Sequence, residues 1–262
     1  MIFCPLYSGS SGNSIFISSK RGNILIDAGL SGKSIEKALK DINKDPNDVD
    51  GIFITHEHID HVKGVGVMSR RYNIPIYANE LTWKGMAKNI GKIKEENIKI
   101  AEKNKNINVK DMNICSYRIP HDAADPVGYT VSYGNKKVSI ATDLGYFSKE
   151  VKEAIKDSNV VLLESNHDVE MVKFGPYPYT LKRRILSDIG HLSNDDCGKA
   201  ILDMIKYNCK RVILGHLSKT NNYPELAYQT VINILRENGI KINEDIILGL
   251  AKRDMPSDYI EF

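Results

Sequence analysis

The chain has 262 residues, of which 42% are hydrophobic and 26% charged, and its formal net charge is +3. These are ordinary values for a globular protein, so they argue against a disordered chain, and the charge is too small to indicate nucleic-acid binding by itself. The four cysteines, Cys4, Cys115, Cys197 and Cys209, are scattered along the chain. Their spacing favours a reducing compartment over a disulfide framework.

The apolar runs are all short. The N-terminal stretch Ile2–Tyr7 is too short for the core of a signal peptide, and no run approaches the length of a membrane span. We therefore expect a cytoplasmic protein with no membrane partner. At this length, residues 1–262 are expected to form a single domain.

Apolar strand-like runs alternate with amphipathic segments along the chain. Strands are predicted at 1–6, 14–18, 23–27, 51–55, 74–77, 112–119, 127–133, 137–142, 159–164, 210–215 and 245–249. Helices are predicted at 32–42, 62–72, 79–90, 148–156, 178–188, 194–206 and 225–237. The polar stretch 91–110 predicts a strand pair with turns on an exposed edge. The pattern alone indicates an α/β fold with many short strands.

Three histidines and two carboxylates crowd into the seven residues Thr55–His61, directly after an apolar run. On a strand, residues two apart share a face, so His56 and His58 are predicted to point the same way. Asp60 and His61 are expected in the turn that leads into the next helix. Imidazole and carboxylate are the ligands of zinc, manganese or iron, so we interpret the motif as part of a site for two metal ions. A polar strand end with surface histidines is the alternative.

The pattern His56-x-His58-x-Asp60-His61 resembles the signature of the metallo-β-lactamase superfamily. The later motifs of that family are matched in order by His121, Asp143 and His216, each after an apolar run. Asn23–Gly29 matches the family's early strand that ends in Asp-x-Gly. The resemblance implies an α/β fold of the αββα sandwich type and a hydrolase with two divalent metal ions, zinc or manganese.

The resemblance also assigns the ligands. It implies that one ion is held by His56, His58 and His121, and the other by Asp60, His61 and His216, with Asp143 between them. Two cations beside one water lower the pKa of that water, which supplies a hydroxide nucleophile that bridges the metals and that Asp60 could orient. Glu57 is predicted to face away from the ions.

The residue at the bridging position bears on the substrate. The β-lactam hydrolases of this superfamily carry Cys or Ser where this chain has Asp143, so β-lactams are not the expected substrate. Gly190–Ser193 resembles the loop of the phosphodiesterase branch in which a histidine contacts the scissile phosphate, and Glu164 matches that histidine's partner. Glu164 would keep His191 protonated and oriented to transfer a proton to the leaving oxygen. A capping histidine and a surface carboxylate are the alternatives.

Three further segments predict contacts with substrate. Ser193 and the helix N-terminus after it would form an anion site. The loop Ser8–Ser14, with Ser10, Ser11 and Asn13, could bind a terminal phosphate, although a hairpin turn explains it equally well. Lys173–Arg184 interleaves three aromatic residues with four bases, and Lys182 and Arg183 are expected to contact phosphates. A loop that leads into an amphipathic helix is the alternative for this segment.

Together with Glu164–Asp168, these segments resemble the WalJ/YycJ group of bacterial proteins with this fold. That resemblance implies a 5′-to-3′ exonuclease that acts on DNA in repair, with DNA ends favoured over RNA. The stretch between Asp143 and His216 is too short for a large inserted cap domain, so we expect an open site.

Other classes of function stay open. A glyoxalase II-like thioesterase would share the metal ligands but has no use for Glu164 and His191. An RNA-processing nuclease would use all of them. A non-catalytic regulatory protein is disfavoured by the complete ligand set. The sequence leaves open the native metal, the oligomeric state and the role of His167.

Overall fold

A computed structural model describes residues 1–262. The strands, numbered in chain order, are β1 (Ile2–Tyr7), β2 (Ser14–Ser18), β3 (Asn23–Ile26), β4 (Gly51–Phe53), β5 (Ile76–Ala78), β6 (Ile98–Ile100), β7 (Asn106–Val109), β8 (Met112–Arg118), β9 (Val127–Tyr133), β10 (Lys136–Ala141), β11 (Val160–Glu164), β12 (Arg211–Gly215), β13 (Ile247–Leu250) and β14 (Ile260–Glu261). They form two seven-stranded sheets, in the spatial orders β14-β1-β2-β3-β4-β5-β6 and β13-β12-β11-β10-β9-β8-β7.

Helices accompany both sheets. They are α1 (Gly32–Asp41), α2 (Ile59–Val62), α3 (Val65–Tyr72), α4 (Glu80–Ile90), α5 (Lys149–Ile155), α6 (Val169–Phe174), α7 (Tyr179–Ile185), α8 (Asn194–Lys206) and α9 (Pro224–Glu237). Short 3₁₀ turns occupy Pro46–Asp48 and Glu95–Asn97. None of the helices has both the length and the apolar composition that crossing a bilayer requires.

The core consists of three apolar layers, because neighbouring residues of a strand face opposite ways. In β3, Leu25 packs in the layer with α1, α3 and α4, whereas Ile24 and Ile26 pack against the other sheet. In β11, Leu163 packs in the layer with α5, α8 and α9, whereas Leu162 packs between the sheets. Strands covered on both faces need continuous apolar runs. This arrangement is the αββα sandwich, which confirms the predicted fold.

Each sheet combines antiparallel hairpins with a parallel half. In the first sheet β3, β4, β5 and β6 are parallel, and in the second β10, β11, β12 and β13 are parallel. The carboxyl ends of parallel strands meet at one edge of their sheet, where open α/β sheets bind ligands. The predicted ligands follow β4, β8, β10 and β12, so this topology brings them to a shared rim.

Two predicted segments differ in the structure. The helix predicted at 62–72 is two helices, α2 and α3, and the break falls at Gly64, where an added Cβ would lie 2.3 Å from the Leu30 carbonyl oxygen. Asp60 and His61 therefore lie within α2 and not in a turn before a helix. In 91–110 the predicted strand pair is wrong. β6 pairs with β5 in one sheet and β7 with β8 in the other, because polar edge strands carry little information about their partner. The sequence analysis also missed α6 and β14.

Candidate metal centre

Three of the rim residues occupy an unusual backbone conformation. Asp27, Asp143 and His216 follow β3, β10 and β12, and their φ angles are 61°, 60° and 54°. Left-handed backbone is uncommon outside glycine and is retained where the surrounding structure imposes it, often at functional sites. Each of these strands is therefore followed at the rim by a residue held in left-handed backbone.

Three histidines form the first cluster of possible ligands. His58 Nδ1 lies 3.1 Å from His56 Nε2 and 3.3 Å from His121 Nε2. Donors that bind one tetrahedral zinc ion at about 2.0–2.1 Å are about 3.3 Å from each other. His121 donates from Nδ1 to the Gly190 carbonyl oxygen at 3.1 Å, which leaves Nε2 for the cluster. The spacing of these nitrogens fits a single ion.

The second cluster contains Asp60, His61 and His216. Asp60 Oδ2 lies 3.6 Å from His61 Nε2 and 4.0 Å from His216 Nε2. Asp143 touches both clusters, with Oδ2 at 3.4 Å from His61 Nε2 and Oδ1 at 3.7 Å from His121 Nε2. All seven residues predicted as metal ligands thus come together, and Asp143 lies between the two groups.

Buried carboxylates orient the histidines from behind. Asp27 Oδ2 accepts a hydrogen bond from His61 Nδ1 at 2.8 Å, and Glu164 Oε1 accepts one from His216 Nδ1 at 2.7 Å. A carboxylate that accepts Nδ1–H fixes the ring so that Nε2 faces the metal side. Glu164 Oε1 also lies 2.9 Å from His191 Nδ1. The predicted contact between Glu164 and His191 is therefore present, and Glu164 bonds a second histidine as well.

Two buried atoms indicate that the clusters need a cation. Asp143 Oδ2 and His216 Nε2 are buried without a hydrogen-bond partner. A buried polar atom without a partner is costly, and a metal ion would satisfy both of these. The donors present, imidazole nitrogen and carboxylate oxygen, suit zinc or manganese. The residues therefore fit the divalent ions that the family pattern implies.

The charge environment differs between the clusters. Burial and the neighbouring histidines hold the pKa of His56 well below its ordinary value, so this imidazole is neutral, as a metal ligand must be. Burial would also lower the pKa of His61, but the Asp143, Asp27 and Asp60 carboxylates outweigh burial and raise it to about 9. The second cluster is a strongly negative environment that favours a bound cation.

The comparisons with known proteins agree with this geometry. Residues 7–216 match the metallo-β-lactamase superfamily. The chain belongs to this superfamily. The matched range holds all seven candidate ligands.

Specific relatives narrow the assignment within the metallo-β-lactamase superfamily. The chain is 43% identical over 255 residues to exodeoxyribonuclease YycJ of Bacillus anthracis, with 97% of each protein covered. It is 43% identical over 242 residues to exodeoxyribonuclease WalJ of Streptococcus pneumoniae, which covers 92% of this chain and 90% of that one. The resemblance to the WalJ/YycJ group is confirmed.

Among solved structures, the metallo-β-lactamase fold protein YhfI from Bacillus subtilis superposes with a TM-score of 0.73. The alignment covers 98% of both chains at 12% identity. At this identity the likeness shows the fold alone.

The side chains that border the open side of the candidate metal centre are less buried than the rest. His58 is half-buried, and the Asp60 and His191 side chains retain 25% and 19% of their exposure. His191 bonds Glu164 through Nδ1, so its Nε2 is directed away from that carboxylate. Glu57 turns elsewhere, as predicted, and its Oε1 accepts a hydrogen bond from the Ala124 amide at 2.8 Å.

The predicted phosphate-binding loop is mostly turned inward. Asn13 is buried, with Nδ2 at 3.2 Å from His61 Nε2 and Oδ1 bonded to the Gly9 amide. Ser10 and Ser11 are exposed at the tip. Ser193 is buried, and its hydroxyl caps α8 by accepting from the Asp196 amide at 3.1 Å and donating to the Asp196 carboxylate. Ser193 is thus the cap of α8 and its hydroxyl bonds Asp196, whereas its contact with substrate stays a prediction.

The basic segment makes internal contacts, and its contact with phosphates stays a prediction. Lys182 Nζ donates to the Lys173 carbonyl oxygen at 2.8 Å, and the Arg183 guanidinium lies over the Tyr179 ring at 5.9 Å. Both residues therefore make contacts within their own segment. His167 is buried with neither ring nitrogen bonded to protein, and burial lowers its pKa to about 4.

The sequence analysis missed Asp27 as an orienting carboxylate, although its Asp-x-Gly motif was visible. It also missed a pair formed by Asp122 and Arg184, in which Arg184 donates to both carboxylate oxygens. These two residues are far apart in the chain, and no local pattern signals the contact.

Proposed function

We propose that this protein is a metal-dependent 5′-to-3′ exonuclease that hydrolyses phosphodiester bonds at DNA ends, and that it serves DNA repair in the cytoplasm. The observation that carries the proposal is the buried Glu164, which bonds both His216 of the candidate metal centre and His191 at the open side. A thioesterase needs no such pair. The relatives at 43% identity are named exodeoxyribonucleases, which supports the choice of DNA.

We propose two ions per chain, zinc or manganese. His56, His58 and His121 would hold one, and Asp60, His61 and His216 the other, with Asp143 between them. When bound, the two ions would lower the pKa of a water molecule and offset negative charge on the phosphate. Asp27 and Glu164 keep the rings of His61 and His216 in place through their Nδ1–H groups.

His191 has the geometry of a general acid. Its Nδ1–H donates to Glu164 Oε1, which fixes the ring and leaves Nε2 for substrate. In the proposed step, water adds its oxygen to phosphorus and loses a proton to solvent, and the bond from phosphorus to the leaving oxygen breaks. His191, protonated on both ring nitrogens, gives the leaving oxygen a proton from Nε2 and takes one back from solvent. Asp60, the partly exposed carboxylate at the opening, would orient the attacking water.

The nuclease assignment is tested by digestion of end-labelled single- and double-stranded DNA and RNA with added manganese or zinc. We expect DNA labelled at the 5′ end to release its label early and in short products. Asp60→Asn serves as the catalytic control and should lose about a hundredfold or more in kcat. Release from the 3′ end first, or hydrolysis of a thioester without action on nucleic acid, would contradict the proposal.

The metal assignment has its own test. Metal analysis of the purified protein should find up to two divalent ions, and added metal should raise Tm because it binds only the folded chain. His58→Ala should weaken the first cluster, and Asp143→Ala both. Glu57→Gln, from the same motif but bonded to the Ala124 amide, is the matched control and should keep its metal. A protein that neither contains metal nor gains stability or activity from it would refute the two-metal proposal.

A further inference from the structure

An arginine–aspartate pair stands at the edge of the first cluster. Asp122 directly follows His121, and its Oδ1 lies 3.5 Å from His121 Nε2. Arg184 of α7 approaches from the other side and donates to both carboxylate oxygens of Asp122, from Nε to Oδ2 and from Nη2 to Oδ1 at 3.0 Å. The Arg184 side chain is 48% exposed and that of Asp122 is 20% exposed. The pair therefore combines a fixed geometry with access to solvent.

The guanidinium lies beside the candidate metal centre, because it pairs with Asp122, whose Oδ1 is 3.5 Å from His121 Nε2. Its bond to Asp122 contributes most to raising the pKa of Arg184, and the Asp60 and Asp143 carboxylates add to the effect. Both of these carboxylates belong to the candidate metal centre. Arg184 therefore adds partly exposed positive charge next to the carboxylates of the candidate metal centre.

Donors remain after the pairing. A guanidinium has five N–H groups, and the fork with Asp122 uses one from Nε and one from Nη2. The Nη1 group has no protein partner. Planar forks of this kind bind phosphate oxygens as well as carboxylates. The pairing also neutralises Asp122, whose carboxylate would otherwise repel a phosphate beside the metal centre.

We propose that Arg184, while still paired with Asp122, binds the phosphate next to the scissile one in the DNA strand. The inference rests on the proposed function and specifies its substrate contact. Lys182 and Arg183 make contacts within their own segment. Arg184, the next residue of α7, is therefore the better placed of the three to bind a phosphate. The substrate class that needs this contact is a nucleic-acid strand with at least two phosphates.

The test compares two substrates in Arg184→Gln: a single-stranded DNA, and a small diester with one phosphate, bis(4-nitrophenyl) phosphate. For DNA we expect KM to rise about tenfold or more, since a charge-assisted hydrogen bond is lost, and the slope of log binding against log salt to fall by about one. Turnover of the small diester should fall much less. An unchanged KM for DNA would overturn the inference.

A double variant separates binding from charge neutralisation. If Arg184 only masks Asp122, then Asp122→Asn combined with Arg184→Gln should regain the wild-type KM, and that result would overturn the proposal. If Arg184 binds phosphate, the double variant keeps the high KM. Arg184→Lys should retain the salt slope with an intermediate KM, which guards against misfolding of α7.

The matched control is Arg71→Gln, which breaks another exposed arginine–carboxylate pair, the one with Glu36 in the helical layer of the first sheet. It should behave as wild type with both substrates. Failure of the proposed function and failure of the role of Arg184 give different results. Wild-type protein without action on DNA would refute the proposed function, whereas active wild-type protein with an unaffected Arg184→Gln variant would refute only the role of Arg184.

Discussion

In each half of the sandwich, a buried carboxylate holds one histidine of the second cluster, but the two carboxylates differ in their other partners. In the first half, Asp27 follows β3 and holds His61 through Nδ1 at 2.8 Å. In the second half, Glu164 ends β11 and holds His216 through Nδ1 at 2.7 Å. Both carboxylates are buried. Each sheet thus supplies one histidine to the second cluster and one carboxylate that fixes it.

The two carboxylates differ in their remaining partners. Apart from His61, Asp27 accepts only from the amide and the hydroxyl of Thr55, the residue that follows β4. Glu164 accepts from the Leu144 and Leu192 amides and, in addition, from His191. The longer glutamate side chain therefore connects the candidate metal centre to a histidine at the opening, which the aspartate does not.

The neighbours also decide the charge state. Burial raises the pKa of a carboxyl group because it disfavours the charged form. At Asp27 burial prevails over His61 and Thr55, and the pKa is raised. At Glu164 burial is outweighed by His191 and His216, which hold the pKa below its ordinary value. Two histidine neighbours thus keep Glu164 firmly ionised, which suits a group that must stabilise a proton donor.

Glu164→Gln should have the largest effect, because it affects the metal centre and His191 together. The amide keeps the shape but removes the negative charge that both histidines face. We expect kcat to fall by about a thousandfold, the combined scale of a lost orienting carboxylate and a lost catalytic interaction. Turnover measured with saturating metal gives the result. Full recovery with excess metal would show that Glu164 serves the metal centre alone.

His191→Ala should have the second largest effect. It removes the histidine that Glu164 holds at the opening, for which Asp27 has no counterpart. We expect kcat on DNA to fall about a hundredfold, since general acid catalysis contributes at least that much. Metal content should stay at the wild-type level. A 4-nitrophenyl diester should be affected less, because its leaving oxygen needs no proton. Equal losses on the two substrates would contradict an acid role.

Asp27→Asn tests the first half by itself. Its only histidine partner is His61, so the variant should lose about 10–100-fold in metal affinity at the second cluster. In contrast to Glu164→Gln, excess metal should restore most of the turnover. Metal titration and kcat at saturating metal are the two measurements. A defect in kcat that persists at saturating metal would show that the two halves are more alike than proposed.

The sequence predicted much of the centre because its ligands follow apolar strands. His56, Asp143 and His216 each come after a run that had to be a buried strand, and parallel strands bring their carboxyl ends to a common edge. Fold and ligand clustering follow from that rule and from the family pattern. The partner of Glu164 was also predicted, but its second bond to His216 was not, since it depends on the rotamer of one buried side chain.

Contacts between distant segments could not be predicted from the sequence. The Asp122–Arg184 pair joins two residues that share no local pattern, and Asn13 turns inward because the Gly9 amide and His61 offer partners there. The hydroxyl of Ser193 caps α8 and bonds Asp196. In each instance the residue type allowed several partners, and packing selected one.

Thr55→Val should have the smallest effect on the metal centre. It tests the hydrogen bond by which the Thr55 hydroxyl holds Asp27 in place. The Thr55 hydroxyl donates to Asp27 Oδ2 at 2.8 Å, and valine replaces it with a methyl group of similar size. The backbone amide bond to Asp27 Oδ1 remains, so His61 should keep its orientation. The hydroxyl also lies 3.0 Å from Nδ1 of His56, which would lose its partner. We expect a loss of about 1–3 kcal/mol in the free energy of unfolding, the range for leaving a buried polar group unsatisfied, and at most about tenfold in metal affinity.

Chemical denaturation with and without added metal measures the effect of Thr55→Val. Thr130→Val is the matched control, because its hydroxyl bonds only the Cys115 carbonyl oxygen within the second sheet. The control should lose stability equally in both conditions. Thr55→Val should lose more with metal than without, since the hydroxyl bonds Asp27, which orients His61, and lies 3.0 Å from Nδ1 of His56. Equal losses would mean that Thr55 supports the strand end and not the metal centre, and the support of Asp27 would then rest on the backbone alone.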